Sequence, residues 1–281
     1  ENSKMHTPVY IALTLMLATG TNAVQGSVGV DLSVATNTSA WSCVMDELRS
    51  TDSSQLPPFA IVRVYRNLGQ VDDNAPASLY AAQEAGFRRF SGYVFPCIAT
   101  SSFALSREDV ECPSAAQQLS DTLSFLSAEG VEMARTPAAV SSDTGSTSLS
   151  SVSEDTEEAS GRPVLQRLYL DIEDLSPAYY FDADPTVNQK FVADFVAAAA
   201  AVHVPVGFYT TSTYWTNIMD DVEDYSEPVF PLWYPRWDAT NSMDFFEPFG
   251  GWGAVAVKQT AGDVALCSIS QVDLDYMQWG T

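Results

Sequence analysis

The run LYLDIED, Leu168–Asp174, is apolar and strand-like, yet it carries two carboxylates two residues apart. Alternate side chains of a strand share a face. Leu168, Leu170 and Ile172 therefore point to one layer, toward packed helices, while Tyr169, Asp171 and Glu173 converge on the other. Burying carboxylates without partners costs several kcal/mol each. A chain that keeps an acid pair on such a face either pairs it with cations, here Arg63 and Arg66, or uses it.

This strand is one of eight similar runs: Val28–Leu32, Ala60–Tyr65, Phe90–Phe95, Leu165–Ile172, Val204–Tyr209, Val229–Trp233, Ala254–Lys258 and Gln271–Leu274. Helical spacing of apolar residues fills several gaps between them, at Ala75–Ala85, Ser114–Ala128 and Val187–Val202. Strands alternating with helices predict an α/β fold, an irregular (β/α) barrel of about eight strands. The stretch Tyr234–Gly253, rich in Pro, Gly and aromatics, reads as a loop in place of a helix. Residues 141–160 hold eight Ser, three Thr and five acids with no aromatic or basic residue, which predicts a disordered insertion at about 137–161. It precedes the strand bearing Asp171, so it is expected at the N-terminal face of the barrel, away from an active site.

The apolar run Val9–Ala18, followed by small residues up to Ala23, reads as a secretory signal peptide too short to span a bilayer. Met5 is then the expected start, residues 1–4 an upstream remnant, and 24–281 a single exported barrel domain. The formal charge of -23 argues against nucleic acid and anionic membranes as partners, and suits an acidic compartment as well as simple solubility. Four cysteines in an exported chain favour two disulfides. Of three possible connectivities, Cys97–Cys112 brackets one loop and leaves Cys43–Cys267. Without a CxxC pair, and with His203 the lone histidine past the leader, no metal site, cofactor or His-based triad is expected.

Asp171 and Glu173 lie at the C-terminal end of their strand, where barrel enzymes place catalytic side chains. Asp31 closes the first strand and Asp273 lies in VDLD on the last, so the two should flank each other where the barrel closes. Four acids around one mouth suit glycoside cleavage, one carboxyl acting as proton donor and another supporting an oxocarbenium-like transition state. Tyr65, Tyr93, Phe95, Tyr209 and Trp233, all at strand ends, are candidate sugar contacts.

The series GVDLS (29–33), AIVRVYR (60–66), AGFRRFSGYVFPC (85–97), LYLDIED (168–174), VGFYTT (206–211), PLWYPRWD (231–238), FGGWGAVAVKQTAGD (249–263) and VDLDYM (272–277) resembles the family 25 glycoside hydrolases. These are the muramidase-type lysozymes, and the likeness is greatest to their secreted eukaryotic branch. The resemblance implies hydrolysis of the β-1,4 bond between N-acetylmuramic acid and N-acetylglucosamine in peptidoglycan. It implies Glu173 as proton donor, Asp171 as its partner, Asp31 and Asp273 as the other active-site acids, and Gln259 at the substrate. The chain departs from many bacterial members at Lys258-Gln259, where they carry Trp-Gln, and at PRWD after Leu232-Trp233. A secreted or lysosomal and phagosomal lysozyme acting as a monomer is the expectation. The alternative is a catalytically silent glycan-binding barrel. A chitinase is disfavoured by the missing DxxDxDxE signature.

Overall fold

The computed structural model describes residues 26–52, 56–136, 161–174, 179–226 and 229–278. The expected leader (1–23) and the expected insertion (about 137–161, except Gly161) lie outside them. In chain order the elements are β1 (Gly26–Leu32), α1 (Thr38–Thr51), β2 (Phe59–Arg66), β3 (Gln70–Val71), α2 (Ala75–Glu84), β4 (Arg89–Val94), α3 (Ser102–Leu105) and α4 (Ala115–Ala128). They continue with β5 (Glu132–Met133), β6 (Val164–Asp171), α5 (Pro185–Ala201), β7 (Val206–Tyr209), α6 (Ser212–Met219), β8 (Leu232–Pro235), β9 (Val257–Leu266) and β10 (Ile269–Gln278).

Eight strands close a barrel in the order β1, β2, β4, β6, β7, β8, β9, β10, with β10 pairing back onto β1. Neighbours from β1 through β9 are parallel. The last strand, β10, is antiparallel to both of its neighbours. The cause is local: only Cys267 and Ser268, at φ 54° and 67°, separate β9 from β10. A two-residue turn with positive φ makes a hairpin, whereas a parallel return needs a crossover. Both hairpin strands run longer than their sequence signals, because the polar KQTAGD and ISQ segments mask their ends.

Alternation along the strands sorts side chains into two layers. Leu168, Leu170 and Ile172 join the large core between barrel and helices, while Tyr169 joins Phe59, Ile61, Tyr93, Tyr209 and Trp233 inside the barrel. The outer layer is sealed by amphipathic helices, several with a side-chain cap at their start. Ser114 caps α4 and Asp184 caps α5 ahead of Pro185, each accepting a backbone N–H. Helix α1 is not among the helices that apolar spacing predicts, although Asn37 caps it and Trp41, Val44, Met45 and Leu48 bury one stripe. Nor are α6 and the short α3. No helix replaces the expected loop at 234–253. Both expected disulfides are formed: Cys43 of α1 is bonded to Cys267 at the β9–β10 turn, and Cys97 to Cys112. Glu132 pairs with Val164 at the N-terminal end of β6, so the chain flanking residues 137–160 lies at the barrel face opposite the strand ends that carry the acids.

Candidate active site

Each acid singled out in the sequence reaches the same barrel mouth. Asp171 ends β6 and Glu173 follows two residues on. Asp31 sits near the end of β1 and is paired in register with Asp273. Because β10 runs backwards, Asp273 arrives there from the middle of its strand and not from its C-terminal end. Asp31 and Asp171 are each 5 % exposed, so desolvation dominates their electrostatics. Burial, then repulsion from Asp273 and Asp174, pushes the Glu173 carboxyl up to about 7. Burial and the neighbouring Glu173 raise Asp171 well above the carboxylate range, with Arg63 opposing. Neither Arg63 nor Arg66 forms an ion pair with these acids among the described residues: Arg63 is taken by Asp72 at 2.8 Å and by the Ser33 carbonyl at 3.0 Å. The Oδ1 atom of Asp171 is buried without a hydrogen-bond partner. An acid pair left unneutralised is arranged for proton chemistry rather than for holding the fold together.

Asp275 is a fifth acid that the sequence reading did not select. It follows Asp273 by two residues in VDLD, so the strand period puts both on one face. Asp275 is 2 % exposed and accepts the Trp233 indole N–H at 2.8 Å. Its other oxygen, Oδ2, is buried without a hydrogen-bond partner, and its charge disfavours ionisation of the neighbouring Asp31. Burial first, then mutual and Asp273 repulsion, holds Asp31 far above its ordinary value. Despite this density of carboxylates, no group of three or more His, Cys, Asp or Glu among the described residues has the arrangement of a metal site.

Gln259 organises the acids. Its amide nitrogen donates to Asp31 at 2.8 Å and to Asp273 at 3.2 Å. Its amide oxygen accepts from the Tyr209 hydroxyl at 3.0 Å and from the Trp237 indole at 2.8 Å. Two donors on the oxygen fix which way the amide points. Of the aromatics expected to touch sugar, Tyr93, Tyr209 and Trp233 line the site from below and are almost wholly buried. Trp233 is their hub, with ring centroids 4.5 Å from Tyr209 and 6.0 Å from Tyr93. Tyr65 lies in the outer core away from the mouth. Phe95 is half-buried against Tyr180 at 5.1 Å, in a cluster with Phe103 and Tyr179. Asp174 shapes that wall, its Oδ2 accepting the backbone N–H groups of Tyr179, Tyr180 and Phe181. The arrangement offers a proton-bearing carboxyl beside further acids in a mouth with an aromatic wall, the equipment of acid-catalysed glycoside cleavage.

A family described as Lysozyme-like protein 1 matches residues 126–260. The chain is 28 % identical to "Probable GH family 25 lysozyme 2" of Dictyostelium discoideum, over 89 % of this chain and 91 % of that protein. It is 25 % identical to "Lysozyme-like protein 5" of Caenorhabditis elegans, over 89 % and 90 %. Among solved structures, the bacterial lysozyme of Streptomyces coelicolor superposes with a TM-score of 0.59 at 17 % identity, covering 91 % of this chain and 93 % of that one. A family 25 lysozyme of Aspergillus fumigatus gives 0.55 at 15 %, covering 91 % and 95 %. Along nearly its whole length the chain is thus similar in sequence to eukaryotic lysozymes and lysozyme-like proteins, a family 25 lysozyme among them, and it shares the fold of solved bacterial and fungal lysozymes.

Proposed function

We propose that the protein is a secreted N-acetylmuramidase that cleaves the β-1,4 bond between N-acetylmuramic acid and N-acetylglucosamine in bacterial peptidoglycan. In this reading residues 1–23 are the export leader and its upstream remnant, and 24–281 form one barrel domain carrying the insertion at about 137–161. The protein works as a monomer outside the cell or in the lumen of an acidic lysosomal or phagosomal compartment. Its paired cysteines suit such a setting, and no described helix is long and apolar enough to cross a membrane.

The observation that carries the reading is Glu173, a carboxyl that keeps its proton up to about pH 7 at the mouth of a lysozyme-like barrel. Glu173 donates that proton to the glycosidic oxygen as the C1–O bond breaks. Asp171, two residues earlier on the same strand, supports the positive charge that develops on the sugar or orients its acetamido group. Water then adds at C1 and a proton returns to Glu173. Asp31 and Asp273, held by Gln259, complete the acidic mouth. The test is Glu173→Gln: wall turbidity loss should fall at least about a hundredfold, since general acid catalysis contributes that much, while the melting transition persists. A Gln variant lysing walls near the parent rate removes Glu173 from the mechanism. A folded parent that binds glycan and never cleaves it is the silent barrel instead.

A further inference from the structure

The loop after β8 is fastened in an unusual way. Its backbone runs along β9, with Arg236 N–H donating to the Gln259 carbonyl at 2.9 Å and Ala239 N–H to the Thr260 carbonyl at 3.0 Å. From below, the fully buried Lys258 donates its ammonium to the Asp238 carboxylate and, at 2.9 Å, to both the carbonyl and the hydroxyl of Thr240. Arg236 grips the same Asp238 at 2.9 Å. Both cations lie over the Phe245 ring, 3.9 and 4.0 Å from its centre. Burying a lysine costs several kcal/mol unless its partners compensate, and here all of them belong to this one loop.

The loop presents Trp237. Its indole N–H donates to the Gln259 oxygen at 2.8 Å, one side chain away from Asp31 and Asp273. Its ring lies against Gly262, where a Cβ would fall 2.1 Å from the indole Cζ2, so the close approach requires glycine there. Trp237 is nevertheless 60 % exposed, whereas Trp41, Trp215, Trp233 and Trp252 are each at most 2 % exposed. A tryptophan anchored by its polar edge, pinned by its backbone and left open on its apolar area is pre-organised for a ligand with an apolar face. The ring faces of pyranose sugars carry C–H groups and meet that description.

The geometry points to Trp237 as the platform of a sugar subsite beside Asp31 and Asp273, on which a pyranose ring of the glycan stacks, with the Lys258–Asp238 clamp holding the platform in place. This rests on the muramidase reading and adds a substrate contact to it. The departures at PRWD and Lys258 then go together: the lysine holds the loop that carries the tryptophan.

The experiment compares the parent, Trp237→Ala and Trp237→Phe, each checked for an unchanged melting transition. Binding of an N-acetylglucosamine tetramer is followed by calorimetry in the Glu173→Gln background, and wall lysis by kinetics in the active one. Trp237→Ala should weaken tetramer binding about tenfold or more, with the loss in lysis falling on KM and the pH profile of kcat unmoved. Trp237→Phe, which keeps a ring, should recover much of the binding. Unchanged binding and KM in Trp237→Ala overturn the subsite. A fall in kcat with a shifted pH profile and constant KM also overturns it, since Trp237 would then act only through Gln259. Faster lysis by Trp237→Ala makes the residue a plug and does the same. The two readings fail separately: a parent that lyses no wall yet binds the tetramer, with binding lost in Trp237→Ala, sinks the muramidase reading and leaves the subsite standing.

Discussion

At the scale of single residues, the Asp31–Asp275 pair has consequences for stability as well as for the site. Burial first, then repulsion from Asp273, disfavours the charged form of Asp275 despite the Trp233 hydrogen bond, so its folded-state pKa lies above the unfolded value. The sign follows from proton linkage: such a carboxyl contributes stability that is complete below the unfolded pKa and is lost as pH rises through the folded one. Asp275→Asn removes this titration, and with it a buried negative charge beside Asp31, while keeping the acceptor for Trp233. The variant should melt close to the parent at pH 4 and a few degrees above it at pH 7.5, as read by calorimetry across pH. Greater destabilisation at pH 7.5 than at pH 4 would show instead that the site needs an ionised Asp275. Asp275→Leu, which cannot accept the Trp233 indole N–H, should lose stability at both pH values.

At the scale of elements, the barrel closes through one hairpin, and the Cys43–Cys267 bridge ties that hairpin to α1 across 224 residues of sequence. Cys97–Cys112 spans only 15. Under the chain-entropy account the long closure is worth about 5 kcal/mol and the short one about 3 kcal/mol. The double variant Cys43→Ser, Cys267→Ser should therefore lower the denaturation midpoint more than Cys97→Ser, Cys112→Ser does; the reverse order in urea titrations would count against this. A second element test uses the insertion. Deleting Ser141–Ser160 should leave wall lysis within about twofold, because Glu132 and Val164 fix the flanking chain at the N-terminal end of β6. What could be read in advance follows the same division. Strands buried on both faces, such as LYLDIED, announce themselves, and so do acids at strand ends. The reversed direction of β10 was not legible in the run Gln271–Leu274, since a period of two is identical for either direction. Helix α1 was obscured because its exposed positions, rich in Ser, Thr and acids, dilute the apolar stripe. Trp237 and Trp233 look alike in the sequence. Only the pinned loop separates an exposed ring from a buried hub.

At the scale of the whole molecule, the net charge of -23 and the raised carboxyls act in one direction. In the proposed mechanism Glu173 works as an acid only while protonated, so a carboxyl pushed up to about 7 should set an alkaline limb on activity. The same upward displacement from 4.5 to about 7 means that roughly 3 kcal/mol of folding stability is lost across that interval, most steeply midway between the two values. Raising the pH also restores full negative charge, which repels the protein from anionic bacterial walls. Salt distinguishes the two effects, because screening at about 0.15 M or above shortens the repulsion and leaves a buried carboxyl largely untouched. Added salt should thus recover part of the wall-lysis loss at neutral pH and none of the loss on a small uncharged glycan. Both profiles should decline above about pH 7, where Glu173 gives up its proton. Maximal cleavage at pH 8 on both substrates, with no alkaline fall, would mean that the proton comes from a group other than Glu173, and a wall profile indifferent to salt would mean that the molecule's charge plays no part in reaching its substrate.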